Sequence, residues 1–303
     1  MKVMVTGGTG TTGSQVVREL LARGVQVKIL TRSAERAKAI SPRVEAVVGD
    51  LLSPSDLRPA FEDIDALFLL LAGVPSEAHE GLTAVALARA AGVKRIVYLS
   101  VHQTARPPRH VPHIGSKLLI ESVIRDCGVP YTFLRPNVFM QNDYWYRDAL
   151  LGHAIYPQPL GDLGASLCDV RDIAEAAAIV LTTDGHDGQA YTIAGPEPFT
   201  GKRAAALWSA VLGKAIAYGG HDMERWEQQQ LTHGAPQWFA LDLKMMFTAW
   251  QTDGLVATDE ELGRLASLLG HSPRCYEDFV AETASGWPVG QSQIAAFEGR
   301  TFS

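Results

Sequence analysis

The first two-thirds of the chain alternates short apolar runs with stretches in which apolar residues recur every three to four positions. Such runs are typical of β-strands, and such stretches are typical of amphipathic α-helices. The fourth run is almost continuously apolar, as expected for a parallel strand that is covered on both faces. We predict strands at 2–6, 25–30, 44–48, 66–71, 95–100 and 131–134, with helices at 14–23, 33–40, from Ser53-Pro54 onward, 77–91 and 114–127.

The pattern loosens after about residue 135 and becomes mainly helical after residue 199. The last dozen residues have weak periodicity, and we expect them to form a mobile tail. The helices predicted here are 143–151, 170–181, 201–212, 224–230, 236–250, 260–268 and 276–284, with one late strand at 189–194.

Strands that alternate with helices predict an α/β fold built on a Rossmann-type, doubly wound parallel sheet. We expect a small, mostly helical C-terminal domain beside this sheet. In this division the Rossmann-type domain spans 1–155, with segments that return to it at about 165–195. The smaller domain spans 196–303 and is expected to contact a substrate or a partner.

Composition and charge narrow the function classes. The 303 residues carry a formal net charge of −6 and no long basic run, so we expect no direct contact with nucleic acid. The three cysteines are far apart, which indicates neither a disulfide framework nor a metal site. The apolar runs are too short to span a bilayer, and the chain begins on a predicted strand. We therefore expect no membrane segment, no signal peptide and a cytoplasmic location.

Three glycines, Gly7, Gly10 and Gly13, lie between the first predicted strand and the first predicted helix. Glycines at this spacing let the backbone turn sharply and approach a pyrophosphate, which then meets the free N–H groups of the helix N-terminus. The alternative is a plain tight turn, which needs fewer glycines. We expect a dinucleotide here, bound by Gly7, Thr9, Gly10, Thr11, Thr12 and Gly13.

The end of the second predicted strand indicates which dinucleotide binds. It has no acidic residue for a ribose 2′-hydroxyl until Glu35, whereas Arg32 can form a bidentate contact with a 2′-phosphate. Thr31 and Ser33 add hydroxyl donors on either side. The alternative is that Arg32 is a solvated loop residue. We predict NADP(H) as the cofactor.

Ligands of such sheets bind at the carboxyl ends of the strands, and this places further cofactor contacts. Asp50 follows the third strand and is expected to meet the adenine edge, although a loop cap near Ser53 is an equal alternative. Other cofactor contacts expected at strand ends are Leu51, Leu71, Ala72, Ser100 and Asn137.

His113 and Lys117 are four residues apart at the start of a predicted helix and therefore share one face. We predict that Lys117 points at the hydroxyls of the nicotinamide ribose and that both residues belong to the catalytic site. The alternative for Lys117 is the surface position that lysine usually takes.

These motifs together resemble the NmrA-like family of atypical short-chain dehydrogenases/reductases. The matching stretches cover nearly the whole chain. They are 5–10 with Gly13, 31–32, 49–50, 95–100, 113–117 with Glu121, 134–137, 169–174, 268–274 and 279–280. The resemblance implies an NADP(H)-binding domain, a small helical C-terminal part and a cleft between them. Members of the family include NADPH reductases of quinones and triarylmethane dyes, and also cofactor-sensing regulators with no known turnover.

One position departs from the wider superfamily, which uses Tyr-x-x-x-Lys with tyrosine as general acid and base. This chain has His113 in the place of that tyrosine. Carbonyl reduction needs a proton donor within hydrogen-bond reach. His113 can supply the proton, or it can only orient substrate or cap the helix. Reduction of a quinone-like acceptor is less demanding, because solvent can protonate the product oxygens.

The segment after Asn137 is rich in side chains that suit a flat apolar acceptor, and we predict substrate contacts from Phe139, Met140, Tyr144 and Trp145. The alternative is a helix that packs its apolar stripe on the C-terminal part. Our first hypothesis is an NADPH-dependent oxidoreductase of a quinone-like or conjugated small molecule. The second is a non-catalytic NADP(H) sensor that binds a protein partner; a homodimer is also open. A sugar-nucleotide epimerase or dehydratase is a weaker third, because the tyrosine is absent.

Overall fold

The computed structural model describes residues 1–287, so the predicted tail lies outside the described residues. Seven parallel strands form the main sheet in the order β3-β2-β1-β4-β5-β6-β8. The strands of this sheet are β1 (Lys2–Thr6), β2 (Gln26–Thr31), β3 (Glu45–Val48), β4 (Ala66–Leu69), β5 (Arg95–Leu99), β6 (Tyr131–Pro136) and β8 (Gln189–Ile193). The predicted α/β fold with a Rossmann-type parallel sheet is confirmed.

Helices cover both faces of the sheet. Side chains of α1, α7 and α11 pack on one face, and those of α3, α4 and α5 pack on the other. The helices are α1 (Thr11–Ala22), α2 (Ala34–Ile40), α3 (Arg58–Glu62), α4 (Glu77–Ala90), α5 (Pro112–Asp126), α6 (Arg147–His153), α7 (Val170–Thr182), α8 (Gly201–Leu212), α9 (Met223–Thr232), α10 (Gln237–Asp253), α11 (Asp259–Leu269) and α12 (Tyr276–Gly286).

The strand β1 shows why the sheet needs two covered faces. Val3 and Val5 pack with α1 and α7, whereas Met4 between them packs in the core of the opposite face. Successive side chains of a strand point to opposite faces, so a strand that is apolar at every position requires both to be covered. The strand order reverses between β1 and β4, which is where such sheets bind ligands.

The C-terminal part has a core of its own, in which Trp208, Tyr156 and Tyr276 are among the largest fully buried side chains. It includes a two-stranded sheet of β7 (Ile155–Tyr156) and β9 (Ala217–Tyr218), which sequence patterns did not predict because each strand has two residues. Helix α11 is different, since Leu265 and Leu269 pack in the core shared by α1 and α7. The domain division at residue 196 remains a prediction, and α11 packs across it.

Two predicted helices are interrupted. The helix predicted from Ser53-Pro54 is a 3₁₀ turn, Pro54–Asp56, followed by α3, because Pro59 has no N–H with which to continue a helix. The helix predicted at 143–151 is a 3₁₀ helix, Met140–Tyr146, followed by α6. Within residues 1–287, no helix has the length and apolar character that a membrane span needs.

Asp143 lies on that 3₁₀ helix and is buried in the C-terminal core. Its carboxyl accepts hydrogen bonds from Trp208 Nε1 at 3.0 Å, from Tyr156 Oη at 3.2 Å and from Tyr276 Oη. Burial raises the pKa of Asp143 from 3.8 to about 6, against the opposing effect of these donors. The folded-state pKa therefore lies above the unfolded value. The stabilising contribution of this group is complete below about pH 4 and is lost as the pH rises through about 6.

We expect the free energy of unfolding to reveal this loss when wild type is compared with Asp143→Asn, which cannot ionise. The advantage of wild type over the variant should shrink by about 3 kcal/mol between pH 4 and pH 7, because two pKa units correspond to that energy. Urea unfolding at several pH values measures the difference. Asp56→Asn, at an exposed position, is the control and should track wild type. A pH-independent difference between wild type and Asp143→Asn would contradict the prediction.

Candidate active site

The glycine turn joins β1 to α1 and is closed tightly on itself. Gly10 N donates to Gly7 O at 3.0 Å, and Gly7 has a φ of +61°, in the left-handed region that favours glycine. A Cβ atom on Gly13 would lie 2.2 Å from Gly7 O, closer than any real contact. The backbone of this turn therefore requires glycine at both positions.

The N-terminus of α1 is open to a polar ligand. Gly10 is the N-cap and has no side chain to satisfy the first backbone N–H groups, and the first turn has no acidic residue. Thr12 is 1% exposed, and its Oγ1 has no hydrogen-bond partner within residues 1–287. An orphaned buried hydroxyl beside free helix N–H groups fits a phosphate. Thr11 and Thr12 both line the cleft described below.

At the end of β2, the three predicted cofactor contacts differ in whether their polar groups are free to bind a ligand. Thr31 Oγ1 accepts from Ser33 N at 3.1 Å and donates to Ser33 O at 3.2 Å, so its hydroxyl is used locally. Ser33 Oγ accepts from Arg36 N and caps α2. Arg32 is exposed and has no ion pair or hydrogen bond in the described part of the chain. It is the group at this end that is open to an anion.

The predicted contacts after β3 and β4 are divided in the same way. Asp50 Oδ1 accepts from Leu52 N at 2.9 Å, which is the loop-cap role named as its alternative. Leu51 packs in the core and is not among the cleft residues. Leu71 lines the cleft, whereas Ala72 is half-buried beside it and does not.

A cleft of about 310 Å³ opens at the carboxyl ends of β4, β5 and β6. Its sheet side includes Leu71, Ser100 and Asn137, together with His113 and Lys117 from α5. Its opposite side comes from the 3₁₀ helix and from α10. The aromatic side chains of the cleft are Phe139, Trp145, Tyr146, Phe239, Phe247 and Trp250.

The 3₁₀ helix Met140–Tyr146 explains which predicted substrate residues reach the cleft. Side chains three apart share a face in a 3₁₀ helix, and Phe139, Asn142 and Trp145 line the cleft in this way. Gln141 and Tyr146 of the same helix also line it. Met140 is 1% exposed and packs in the C-terminal core. Tyr144 lines a neighbouring pocket of about 410 Å³. Of the four predicted substrate contacts, Phe139 and Trp145 therefore line the cleft and Met140 and Tyr144 do not, while contact with a substrate stays a prediction.

Asn137 is held by three hydrogen bonds. Its Nδ2 donates to Leu255 O at 2.7 Å and to His102 Nδ1 at 2.9 Å, and its Oδ1 accepts from Val138 N at 2.8 Å. Because His102 Nδ1 accepts, the proton of the neutral ring is on Nε2, which lies 3.3 Å from Glu261 Oε1. Burial lowers the pKa of His102. This histidine therefore links Asn137, at the end of β6, to Glu261 on α11. Within residues 1–287, no group of His, Cys, Asp and Glu side chains could hold a metal ion.

Lys117 points toward a carboxylate that the sequence analysis did not select. Its Nζ donates to Glu77 Oε1 at 2.6 Å and lies 6.0 Å from the centre of the Tyr98 ring. Glu77 is fully buried, and this burial raises its pKa while the charge of Lys117 lowers it. Glutamate is an ordinary residue in the first turn of a helix, so nothing in the sequence marked Glu77 as special.

His113 also has a buried acidic partner, Asp242 on α10. Asp242 Oδ1 accepts from His113 N at 3.2 Å, and Oδ2 contacts His113 Nδ1. The two residues are 129 positions apart, so spacing alone could not pair them. The available signal was an aspartate on the apolar face of α10, three residues after Phe239 and four before Met246.

The sequence matches known proteins along most of its length. Residues 1–279 match the model described as the NmrA-like family. The NAD(P)H azoreductase of Xenophilus azovorans is 31% identical over 287 residues, which is 94% of this chain and 99% of the azoreductase.

Two solved structures extend the comparison. The NADPH-dependent quinone oxidoreductase of Escherichia coli, complexed with NADPH, has a TM-score of 0.82 at 24% identity, over 93% of this chain and 99% of that one. The triphenylmethane reductase of Citrobacter sp., complexed with NADP(H), has a TM-score of 0.79 at 25% identity, over 94% of this chain and 100% of that one. Both have the fold described above.

Proposed function

Because the chain belongs to the NmrA-like family, we propose that it is an NADP(H)-dependent oxidoreductase that reduces a flat, quinone-like or conjugated small molecule. The observation that carries the proposal is the cleft, in which Lys117 and His113 face aromatic side chains at the carboxyl edge of the sheet. The related azoreductase is named for NAD(P)H, and a diazene, like a quinone, is a flat conjugated acceptor.

The residues present fit the cofactor. The glycine turn and the N–H groups of α1 would hold the pyrophosphate, with Thr12 Oγ1 as an added donor. Arg32 would pair with the 2′-phosphate, and Lys117 would donate to the nicotinamide ribose. Bound NADPH supplies a hydride from the C4 carbon of its nicotinamide. Ser100 and Asn137 line the cleft beside Lys117 and complete the sheet side.

The aromatic wall supports an acceptor rather than a purely regulatory role. A cofactor sensor needs the dinucleotide site but has no need of an apolar cavity beside it. Phe139 and Trp145 line the cleft on one element, and Phe247 and Trp250 line it on α10. Such walls favour flat, uncharged or delocalised molecules.

The proposal is tested by the oxidation of NADPH in the presence of quinones, azo dyes, triarylmethane dyes and enones. We expect turnover with at least one conjugated acceptor, followed as loss of the reduced nicotinamide absorbance. Binding of NADPH is measured separately by fluorescence. Tight binding without turnover of any acceptor would reject the reductase and favour the sensor.

Arg32 gives a specific prediction about the cofactor. Arg32→Gln should weaken NADPH binding about 10- to 100-fold, because a bidentate, charge-assisted contact to phosphate is lost. NADH has no 2′-phosphate, so its affinity should change by less than about threefold. Titration of both cofactors measures the two affinities. Arg36→Gln, at an exposed position on α2, is the matched control for local charge. Equal weakening of both cofactors would contradict the assignment.

A further inference from the structure

We infer that Asp242 is a positioning residue that orients His113 to donate a proton from Nε2 to the acceptor. The inference rests on the proposed reductase function and deepens it, because it names the acceptors that the site is built for. These are neutral conjugated molecules whose reduction consumes a proton at oxygen or nitrogen.

Both oxygens of Asp242 are committed to His113. Oδ1 accepts from the backbone N–H of His113, and Oδ2 accepts from the ring at Nδ1. The first bond fixes the start of α5 relative to α10, and the second fixes the rotation of the ring. Within residues 1–287, Nε2 of His113 has no hydrogen-bond partner, and the ring lines the cleft. Nε2 is thus the ring nitrogen left for an acceptor.

Asp242 holds the His113 ring from a buried position. It is 6% exposed, although its neighbour Leu241 on α10 is largely exposed. A buried carboxylate with no partner is costly, so the position is unfavourable unless His113 is present. A carboxylate at this place is explained by the ring that it holds.

The charges around the ring are arranged in pairs. Lys117 is matched by Glu77, and His113 is matched by Asp242. A ring that transfers its Nε2 proton while it keeps Nδ1–H must first carry protons on both nitrogens. Asp242 is the counter-ion for that charged form. Because Glu77, buried behind Lys117, pairs with that charge, Asp242 is left to pair with His113.

The proton balance divides acceptors into two classes. A neutral acceptor takes a hydride, and the displaced electron pair moves to a carbonyl oxygen or an azo nitrogen, which forms a bond to the proton from Nε2. The ring keeps its Nδ1 proton, which stays hydrogen-bonded to Asp242. It regains the Nε2 proton from water. A cationic acceptor, such as a triarylmethyl cation, becomes neutral on taking the hydride and needs no proton.

The test compares these two classes in one variant. Asp242→Asn keeps the shape, but the amide NH2 replaces one of the two acceptor oxygens, so either His113 N or Nδ1 loses its acceptor, and the negative charge is lost. We expect kcat with 1,4-naphthoquinone to fall about 10- to 100-fold, as is typical when proton transfer is impaired. The kcat with crystal violet, a triarylmethyl cation, should change by less than about threefold. Asp253→Asn, at an exposed position on α10, should match wild type with both acceptors.

A second readout does not depend on turnover. In the protein without ligands, the ¹⁵N-correlated NMR spectrum of wild type should contain a hydrogen-bonded Nδ1–H signal of His113, and Asp242→Leu, which has no acceptor, should lack it. The double variant His113→Gln/Asp242→Asn should reduce naphthoquinone no more slowly than His113→Gln alone, because Asp242 acts through the ring.

The outcomes separate the two proposals. Equal losses of kcat with both acceptors or an unchanged naphthoquinone rate in Asp242→Asn, or an Nδ1–H signal that survives in Asp242→Leu, would overturn the role of Asp242. Turnover of crystal violet but not of naphthoquinone by wild type would overturn the proton-donor role and leave the reductase intact. Failure of wild type with every acceptor in the panel would overturn the proposed function itself.

Discussion

Gly13→Ala is expected to weaken NADPH binding by about 10³-fold or more, which corresponds to about 4 kcal/mol. The added Cβ would lie 2.2 Å from Gly7 O, and two further backbone atoms of the turn would lie 2.8 Å away. Backbone cannot rotate away as a side chain can, so the turn must open. Opening it moves the N-terminus of α1 away from the place where the pyrophosphate would bind.

The control is another glycine-to-alanine change in a helix. A Cβ on Gly263 of α11 would meet nothing within 4 Å, so Gly263→Ala should bind NADPH like wild type and melt at an equal or higher temperature. Titration by fluorescence and thermal unfolding together distinguish lost binding from lost folding. If folded Gly13→Ala bound NADPH as wild type does, the pyrophosphate would have to lie elsewhere.

Lys117→Met should have two separate effects, which a second substitution can divide. It removes the partner of Glu77, which is fully buried, and should lower the free energy of unfolding by about 3 kcal/mol. It also removes the donor proposed for the nicotinamide ribose, so reduction of acceptors should fall about 100-fold or more.

Adding Glu77→Gln removes the stranded carboxylate. The double variant Lys117→Met/Glu77→Gln should recover most of the lost stability, as measured by urea unfolding, but none of the lost turnover. Recovery of turnover along with stability would mean that Lys117 serves the fold and not the cofactor. Glu80→Gln, in the same first turn of α4, is the control for removing a carboxylate there.

The sequence was sufficient to predict those parts of the structure that neighbouring residues determine. Gly7, Gly10 and Gly13 predicted the turn because a strand and a helix flank them within a few residues. The alternation of apolar runs predicted the parallel sheet, since a doubly covered strand is apolar at every position, as β4 is. The family resemblance based on these motifs is confirmed by the match over residues 1–279.

The rest of the site depends on contacts between distant segments. Asp242 meets His113 only after α10 has packed against the start of α5, and no local pattern encodes that encounter. Glu77 reaches Lys117 across the packing of α4 on α5. The difference between three and 3.6 residues per turn decides whether Trp145 shares the face of Phe139, and seven residues are too few for apolar spacing to distinguish the two helix types.

The three-residue repeat of the 3₁₀ helix Met140–Tyr146 makes one side of the cleft easy to redesign. Phe139, Asn142 and Trp145 line the cleft, while Met140 and Asp143, on a different face of the 3₁₀ helix, are buried in the core. A library restricted to Asn142 and Trp145 would therefore vary the shape and polarity of the cleft with little penalty in folding, whereas Phe139 also packs against the core of the sheet. Selection for the proposed reduction of new acceptors could then proceed one residue at a time, with Lys117, His113 and Asp242 left unchanged.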